Sequence, residues 1–361
     1  MRRHAAILLS RQPLRPNRNT GWVVAADQAV RWLVKQRLTL SGSVGLQTWE
    51  LVLTQALRHG ADVRLYLPVQ SRADFSREVD LTLTQFDIHP GAVEFVPVFG
   101  GDDKRDTMQH RDRTLISEAD TLIPISVRPH GGMERLIAER ATFATIEPRF
   151  QIEYRSNRSA LKESFAPLTL TKEARACDRF LIHWTRAVSH PWPDERKIDF
   201  YSSILLSDSW PRTAFDTLER ICTTGRLLGG TRHLPRGVTA VSFSSLPPAA
   251  AVPLMRWRAR YHEMALEPYG VGIERTVALD AGITPVIYCD RLPGERDPER
   301  WHYQSSGVKS DWRAEHEYRY RGNLDLRLLP PESVVLFCRN KEEAARLRDR
   351  FQYKIVAMFE E

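Results

Sequence analysis

Between residues 5 and 146 the chain alternates short apolar runs with stretches of helical periodicity, and that alternation restricts the fold more than any other feature. Strands are expected at 5–10, 38–40, 63–67, 93–98, 121–127 and 144–146, with helices at 28–35, 46–58, 75–85, 111–118 and 132–142. In 46–58 the apolar positions Leu46, Trp49, Leu53 and Leu57 recur at helical spacing, and Gly60 supplies a C-terminal cap. Apolar strands separated by helices predict a Rossmann-like, doubly wound parallel sheet with helices on both faces. In such sheets ligands bind beyond the carboxyl ends of the strands. Three turns fit that position: Ser41, Gly42, Ser43, Val44 and Gly45 after Leu40; Gly100-Gly101 after Phe99; and Arg128 to Gly132 after Val127. Two lead into helix N-termini, where backbone N–H groups and the helix dipole favour an anion.

The whole chain has 361 residues, which suggests more than one domain. Its net charge of +7 permits a nucleotide or nucleic-acid partner. Cys177, Cys222, Cys289 and Cys338 are far apart and form no CxxC pair, so neither a metal site nor a disulfide framework is expected. The apolar run after Met1-Arg2-Arg3-His4 is interrupted by Arg11 and reads as a first strand, not a signal or membrane segment. A cytoplasmic protein with no membrane partner is expected.

The stretch "LSGSVGLQTWELVLTQALRHGADVRLYLP" resembles the segment of the DNA-processing/Smf family that reads roughly SGGARGID followed by a helix and a strand. "HRDRTLISEADTLIPISVRPHGGMERLIAER" resembles that family's RNRIIAGLS stretch, its next strand and its small-residue turn. Arg111 and Arg113 match the two arginines, and Gly131-Gly132 match the turn. The resemblance implies a SLOG-type nucleotide-binding domain over 1–150, with phosphate contacts from Ser41, Gly42, Ser43, Gly45, Arg111, Arg113, Gly131 and Gly132. The wider group includes lysine-decarboxylase-like enzymes with a PGGxGTxxE loop. Pro129-His130-Gly131-Gly132-Met133-Glu134 departs from that motif, which leaves binding implied and sets aside hydrolysis with Glu134 or Glu139 as the acid.

Residues 151–178 are polar and read as a linker, and 179–361 as a separate α+β domain. Strands are expected at 179–187, 270–274, 285–290 and 316–321, helices at 211–223, 253–265 and 341–351. Three polar clusters fall on strand candidates: His183-Trp184-Thr185-Arg186, Ser242-Phe243-Ser244-Ser245 and Glu315-His316-Glu317. Glu315 and Glu317, two residues apart, are expected on one strand face. The order of the clusters resembles the motifs of the ADP-ribosyltransferase superfamily. That resemblance implies NAD as substrate, His183 and Thr185 at the nicotinamide ribose, Ser244 shaping the nicotinamide pocket, and Glu317, with Glu315 beside it, stabilising an oxocarbenium-like transition state. Trp184 departs from the usual glycine. Other readings stay open: His183 as a core histidine, and Glu315 and Glu317 as cross-strand partners of Arg319 or Arg321.

The basic, aromatic stretch 256–262 suits single-stranded nucleic acid, though at helical spacing such a stretch is more often an amphipathic helix with snorkelling cations. A second resemblance covers about 180–345. "SFS", "YGVGI", "PVIY" and "WRAEHEYR" occur in the order seen in uncharacterised anti-phage and abortive-infection domains. Together these imply a bacterial defence-type protein, with a nucleotide- or nucleic-acid-sensing half coupled to an NAD-directed half. The alternative is a non-enzymatic DNA- or nucleotide-binding protein that recruits a partner. A homo-oligomer, or a partner from the same defence system, fits either.

Overall fold

The computed structural model describes residues 3–100, 103–155, 164–231, 234–258, 263–294, 297–307 and 312–361. Gly101 and positions 259–262 of the basic stretch lie outside them. The chain forms two compact units, Met1–Ser159 with Ser189–Pro211, and Ala160–Val188 with Arg212–Glu361. Residues 189–211, grouped by composition with the second half, thus belong to the first unit.

The first unit contains β1 (His4–Leu9), α1 (Gly21–Lys35), β2 (Thr39–Ser43), α2 (Gln47–Arg58), β3 (Val63–Val69), α3 (Arg72–Phe86), β4 (Val93–Phe99), α4 (Lys104–Glu118), β5 (Thr121–Ser126), α5 (Gly132–Arg140) and β6 (Thr145–Ile146). A later helix, α6 (Lys197–Leu206), completes it. The strands run β4-β3-β2-β1-β5-β6, and every pairing is parallel. The expected doubly wound sheet is therefore present. Its strand order reverses between β1 and β5, which is the topological switch point.

Burial on both faces explains why β1 reads as an unbroken apolar run. Ala5, Ile7 and Leu9 pack in one core with α1, α2 and the α6 residues Phe200, Tyr201 and Ile204. Ala6 and Leu8 pack in the other with Leu115 and Ile116 of α4. Ser41, Gly42 and Ser43, expected in a turn, are the second half of β2, paired with Arg64, Leu65 and Tyr66. Their small side chains fit beneath packed neighbours, and the turn proper is Val44, Gly45 and Leu46.

The second unit is built on β7 (Phe180–Trp184), α7 (Ala214–Thr224), β8 (Ala240–Ser244), β9 (Gly270–Glu274), α8 (Arg275–Asp280), β10 (Thr284–Pro285), β11 (Ile287–Cys289), β12 (Tyr303–Ser305), β13 (Glu317–Arg321), β14 (Val334–Cys338), α9 (Lys341–Arg348) and β15 (Lys354–Ala357). Its seven-stranded sheet runs β10-β13-β8-β7-β9-β14-β15; only β14–β15 is parallel. This is the separate α+β domain. The helix expected at 253–265 is absent among the described residues. Val252–Leu254 is a 3-10 turn, and Trp257–Arg258 pairs antiparallel with Glu263–Met264. Pro253 and the burial of Met255 favour a turn followed by a ribbon there.

The glycines of "YGVGI" have a packing role. A Cβ on Gly272 would lie 2.7 Å from Val335 Cγ1 and 3.0 Å from Phe337 Cε2. Gly272→Ala is therefore expected to destabilise the second unit by about 1–3 kcal/mol, read as a lowered urea midpoint with unchanged slope.

Candidate functional site

At the carboxyl edge of the first sheet the dominant group is Arg111 of α4, whose side chain is 0% exposed. Its Nη1 donates to Ser43 Oγ at 2.7 Å and to the Val44 carbonyl at 3.2 Å. Its Nε donates to Asp112 Oδ1 at 2.8 Å. Its Nη2 is buried and has no hydrogen-bond partner among the described residues. The guanidinium carbon lies 5.6 Å from the centre of the Trp49 ring. Burial pushes the Asp112 carboxyl up from its ordinary range, while the Arg111 charge and hydrogen bond oppose that shift. Ser43 Oγ in turn donates to the Tyr66 carbonyl at 2.6 Å.

The two small-residue turns are held differently from a simple anion cradle. Gly45 has φ +93°, a conformation that favours glycine. Its N–H donates to Glu50 Oε1 at 2.8 Å, so a carboxylate of the chain itself sits at the start of α2. Glu50 is 5% exposed and is also held by Lys197 Nζ at 2.6 Å and Tyr201 O–H at 2.7 Å, both from α6. Burial, then the Glu50 charge, raises the Tyr201 hydroxyl well above its ordinary range. At the start of α5 the N–H of His130 donates to Glu134 Oε2 at 2.7 Å. Gly131 is obligatory there, because a Cβ would lie 2.9 Å from the Arg128 carbonyl oxygen. Gly132 borders open space.

The remaining predicted phosphate ligands are dispersed. Ser41 is buried in the sheet, Gly42 packs against Leu65, and Arg113 points to solvent. At the switch point Gln12 Nε2 bridges the Ser10 and Ser126 carbonyls at 3.1 and 3.2 Å. Ser126 Oγ is buried without a partner among the described residues. The structure thus gathers Ser43, Gly45 and Arg111 at the end of β2, and places Gly131 and Gly132 at the end of β5. Sequence reasoning missed Glu50, Lys197 and Tyr201. Glu50 stands in the first turn of α2, but its partners lie about 150 residues further on.

In the second unit β13, β8 and β7 are neighbours, which brings the three polar motifs onto adjacent strands. Register then separates them. Glu317 pairs with Ser244, and Ser244 with Ile182, so these three side chains share one face. His183, one residue on, projects from the other face. Its ring meets Phe243 edge-on at 5.9 Å, and its Nδ1 bonds the Ser242 carbonyl at 2.8 Å. The expected convergence of His183 with Glu317 does not occur, because a one-residue step in a strand reverses the side chain. Thr185 is buried, with its hydroxyl on the Ala214 and Tyr269 carbonyls.

Glu315 and Glu317 do not share a strand face either. Glu315 ends a 3-10 turn, His316 has φ +46°, and Glu317 begins β13. Glu315 Oε1 receives Arg258 at 2.8 Å, and its carbonyl accepts the Ser244 hydroxyl at 2.7 Å. Glu317 Oε1 receives the Ser242 hydroxyl at 2.8 Å and Arg319 Nε at 2.8 Å, and Oε2 receives Arg319 Nη2 at 3.1 Å. Arg319 is 5% exposed and also donates to the Trp301 and Tyr303 carbonyls and to Gln304 Oε1. Those contacts occupy all five of its N–H donors.

Burial pushes the His183 imidazole below its ordinary value of 6.5, with the nearby Arg186 charge acting the same way and the Ser242 carbonyl opposing. The folded state therefore binds fewer protons than the unfolded one near and below that value. Its contribution to stability is complete above about pH 6.5 and is lost as pH falls through the lowered folded value. Urea midpoints followed from about pH 8 to about pH 5 should fall for the wild type and flatten in His183→Gln.

No protein-family model matches the chain, and no curated protein matches it. Among the described residues no helix is long and apolar enough to cross a membrane. Two solved structures, both of the molybdenum cofactor (Moco) carrier protein of Chlamydomonas reinhardtii, are similar to part of the chain. One is 14% identical, with 41% of this chain and 79% of that chain covered and a TM-score of 0.24. The other is 10% identical, with 42% and 92% covered and a TM-score of 0.25.

Proposed function

We propose that the first unit binds a phosphate-bearing ligand, a nucleotide or nucleic acid, at the carboxyl edge of its sheet, with Arg111 as the buried cation. The observation that supports this is the unmatched Nη2 of a guanidinium that is 0% exposed. A buried charged donor without an acceptor is costly, and a phosphate oxygen is the acceptor that a guanidinium fork fits best. Asp112 supplies one carboxylate oxygen to Nε and none to Nη2. Glu50 and Glu134 already occupy the N-termini of α2 and α5, so phosphate recognition rests on the guanidinium more than on a helix dipole.

Calorimetric titration of the full chain with ATP, NAD and single-stranded DNA tests the reading. Arg111→Lys keeps the charge and loses the fork, and should weaken binding about tenfold or more. Wild-type protein that binds none of the three, or Arg111→Lys that binds equally well, overturns it. A nucleic acid is distinguished by salt: the exposed Arg113→Ala should lower the slope of log affinity against log salt by about one.

A second reading gives the second unit an NAD-directed activity, supported by the 2.8 Å bond from the Ser242 hydroxyl that orients Glu317. A fixed carboxylate stabilises the positive charge that develops on ribose as nicotinamide leaves. The Arg319 fork on the same carboxylate favours a structural role instead. Removing Glu317 would leave a buried guanidinium uncompensated, at about 3–5 kcal/mol, and would confuse the two. Ser242→Ala avoids this. Nicotinamide release from NAD should be measurable in the wild type and drop about tenfold in Ser242→Ala. No release from the wild type, or equal release from both, removes the NAD reading.

A further inference from the structure

Residues not singled out by any motif form a second polar constellation in the second unit. Thr284 Oγ1 lies 3.1 Å from His302 Nε2, and His302 Nδ1 lies 2.9 Å from Glu299 Oε2. The carboxylate on Nδ1 fixes the tautomer that carries its proton there, which leaves the Nε2 lone pair facing the threonine hydroxyl. Hydroxyl, imidazole and carboxylate thus stand in the relation that activates a nucleophile: nucleophile on base, base on orienting acid. None of the three side chains is fully buried. Thr284 and His302 are half-buried and Glu299 is exposed, so a reactant can reach them.

Pairing and hydrogen bonds centred on Arg319 hold the frame around them. Thr284 lies on β10 directly opposite Arg319 of β13. Arg319 Nη1 binds the carbonyls of Trp301 and Tyr303, the residues on either side of His302. The His302 ring lies against the buried Trp301, with ring centres 3.6 Å apart. The His302 N–H donates to the Glu299 carbonyl at 2.9 Å, which closes the turn carrying acid and base. One guanidinium therefore ties β13, which pairs with the strand bearing the hydroxyl, to the turn bearing the imidazole, and Glu317 neutralises that guanidinium.

We propose that Thr284, His302 and Glu299 form an acyl-transfer site, in which the Thr284 hydroxyl attacks the carbonyl carbon of an activated ester or thioester. The Oγ1–carbon bond forms while the carbonyl electron pair moves onto its oxygen, and the hydroxyl proton passes to His302 Nε2. Collapse of that adduct breaks the bond to the leaving alcohol or thiol, which takes the proton back from Nε2. The product is an O-acyl threonine, and no oxidant, metal or nucleotide enters the balance. Pro285 follows the nucleophile and has no N–H, so the next residue offers no donor to the developing oxyanion. The expected behaviour is a single acylation with slow deacylation. The proposal depends neither on nucleotide binding by the first unit nor on NAD chemistry at Glu317.

The test uses the full chain and p-nitrophenyl acetate. The readouts are the burst of p-nitrophenolate and the position of the acetyl group, found by mass spectrometry of peptides. Cys289, five residues after Thr284 in the chain, is a competing nucleophile, so the comparison is made in a Cys289→Ser background. One acetyl group per chain is expected on Thr284, lost in Thr284→Val and retained in Thr284→Ser. His302→Gln should slow the burst about 100-fold. Glu299→Gln should slow it by a smaller factor and change its pH profile, because the base loses its orienting charge. Acetyl groups found only on other residues, or a burst at the wild-type rate in His302→Gln or Thr284→Val, overturn the proposal. Thr284→Ser keeps the hydroxyl and the fold, so its failure to acylate also overturns it.

Discussion

Burying a guanidinium obliges a fold to supply acceptors for a charge that cannot be neutralised by losing a proton. Arg111 in the first unit and Arg319 in the second are buried fully or nearly so, and the two solutions differ in one respect. Arg319 has an acceptor for every N–H: two carboxylate oxygens, two carbonyls and a side-chain amide oxygen. Arg111 has acceptors for Nε and Nη1 only among the described residues. A fully matched guanidinium is a structural pin. One with an unmatched donor has capacity left for an anion. The same residue type, equally hidden, thus does architecture in one unit and is suited to recognition in the other.

Carboxylates follow the same logic. Glu50 and Glu134 each accept a backbone N–H from the turn that precedes their own helix. The positive end of a helix attracts an anion, and an acidic side chain in the first turn is the nearest one. For the exposed Glu134 this is a local cap. For Glu50 it is not, since a buried carboxylate needs partners of its own, and α6 delivers Lys197 and Tyr201 to it. The return of residues 189–211 to the first unit is therefore explained by more than the apolar packing of Phe200 and Ile204. It also completes the charge balance at the start of α2.

The parallel sheet was legible because strands buried on both faces are apolar along their centres, as 5–9 of β1 and 122–125 of β5 are, and their helices show an apolar stripe. The small residues of β2 misled for a physical reason. Ser41, Gly42 and Ser43 suit a turn by conformational freedom, and suit a crowded strand by size; only the pairing with β3 decides. The 189–211 segment reads as a proline-punctuated loop leading into a helix, and nothing local says which core it joins. In the second unit the motifs were found and their strands do adjoin, yet the faces were not legible. Residues 183, 244 and 317 come from distant parts of the chain, and their facing depends on registers that a single slip inverts. The left-handed backbone at His316 breaks the parity that would have put Glu315 and Glu317 on one face.

Thr284, His302 and Glu299 carried no signal at all, since a threonine before a proline and a histidine after a tryptophan match no spacing rule. What joins them is Arg319, and Arg319 is legible only as an ion-pair partner of Glu317, which precedes it on the same strand. A carboxylate whose two oxygens are both engaged by a buried cation has little charge left to offer a substrate. A hydroxyl facing an imidazole whose far nitrogen is already engaged keeps its reactivity. The Glu317–Arg319 pair is thus better understood as the support of a reactive group than as the reactive group itself. The most conspicuous acidic motif of the sequence leads to chemistry one strand away from where it points.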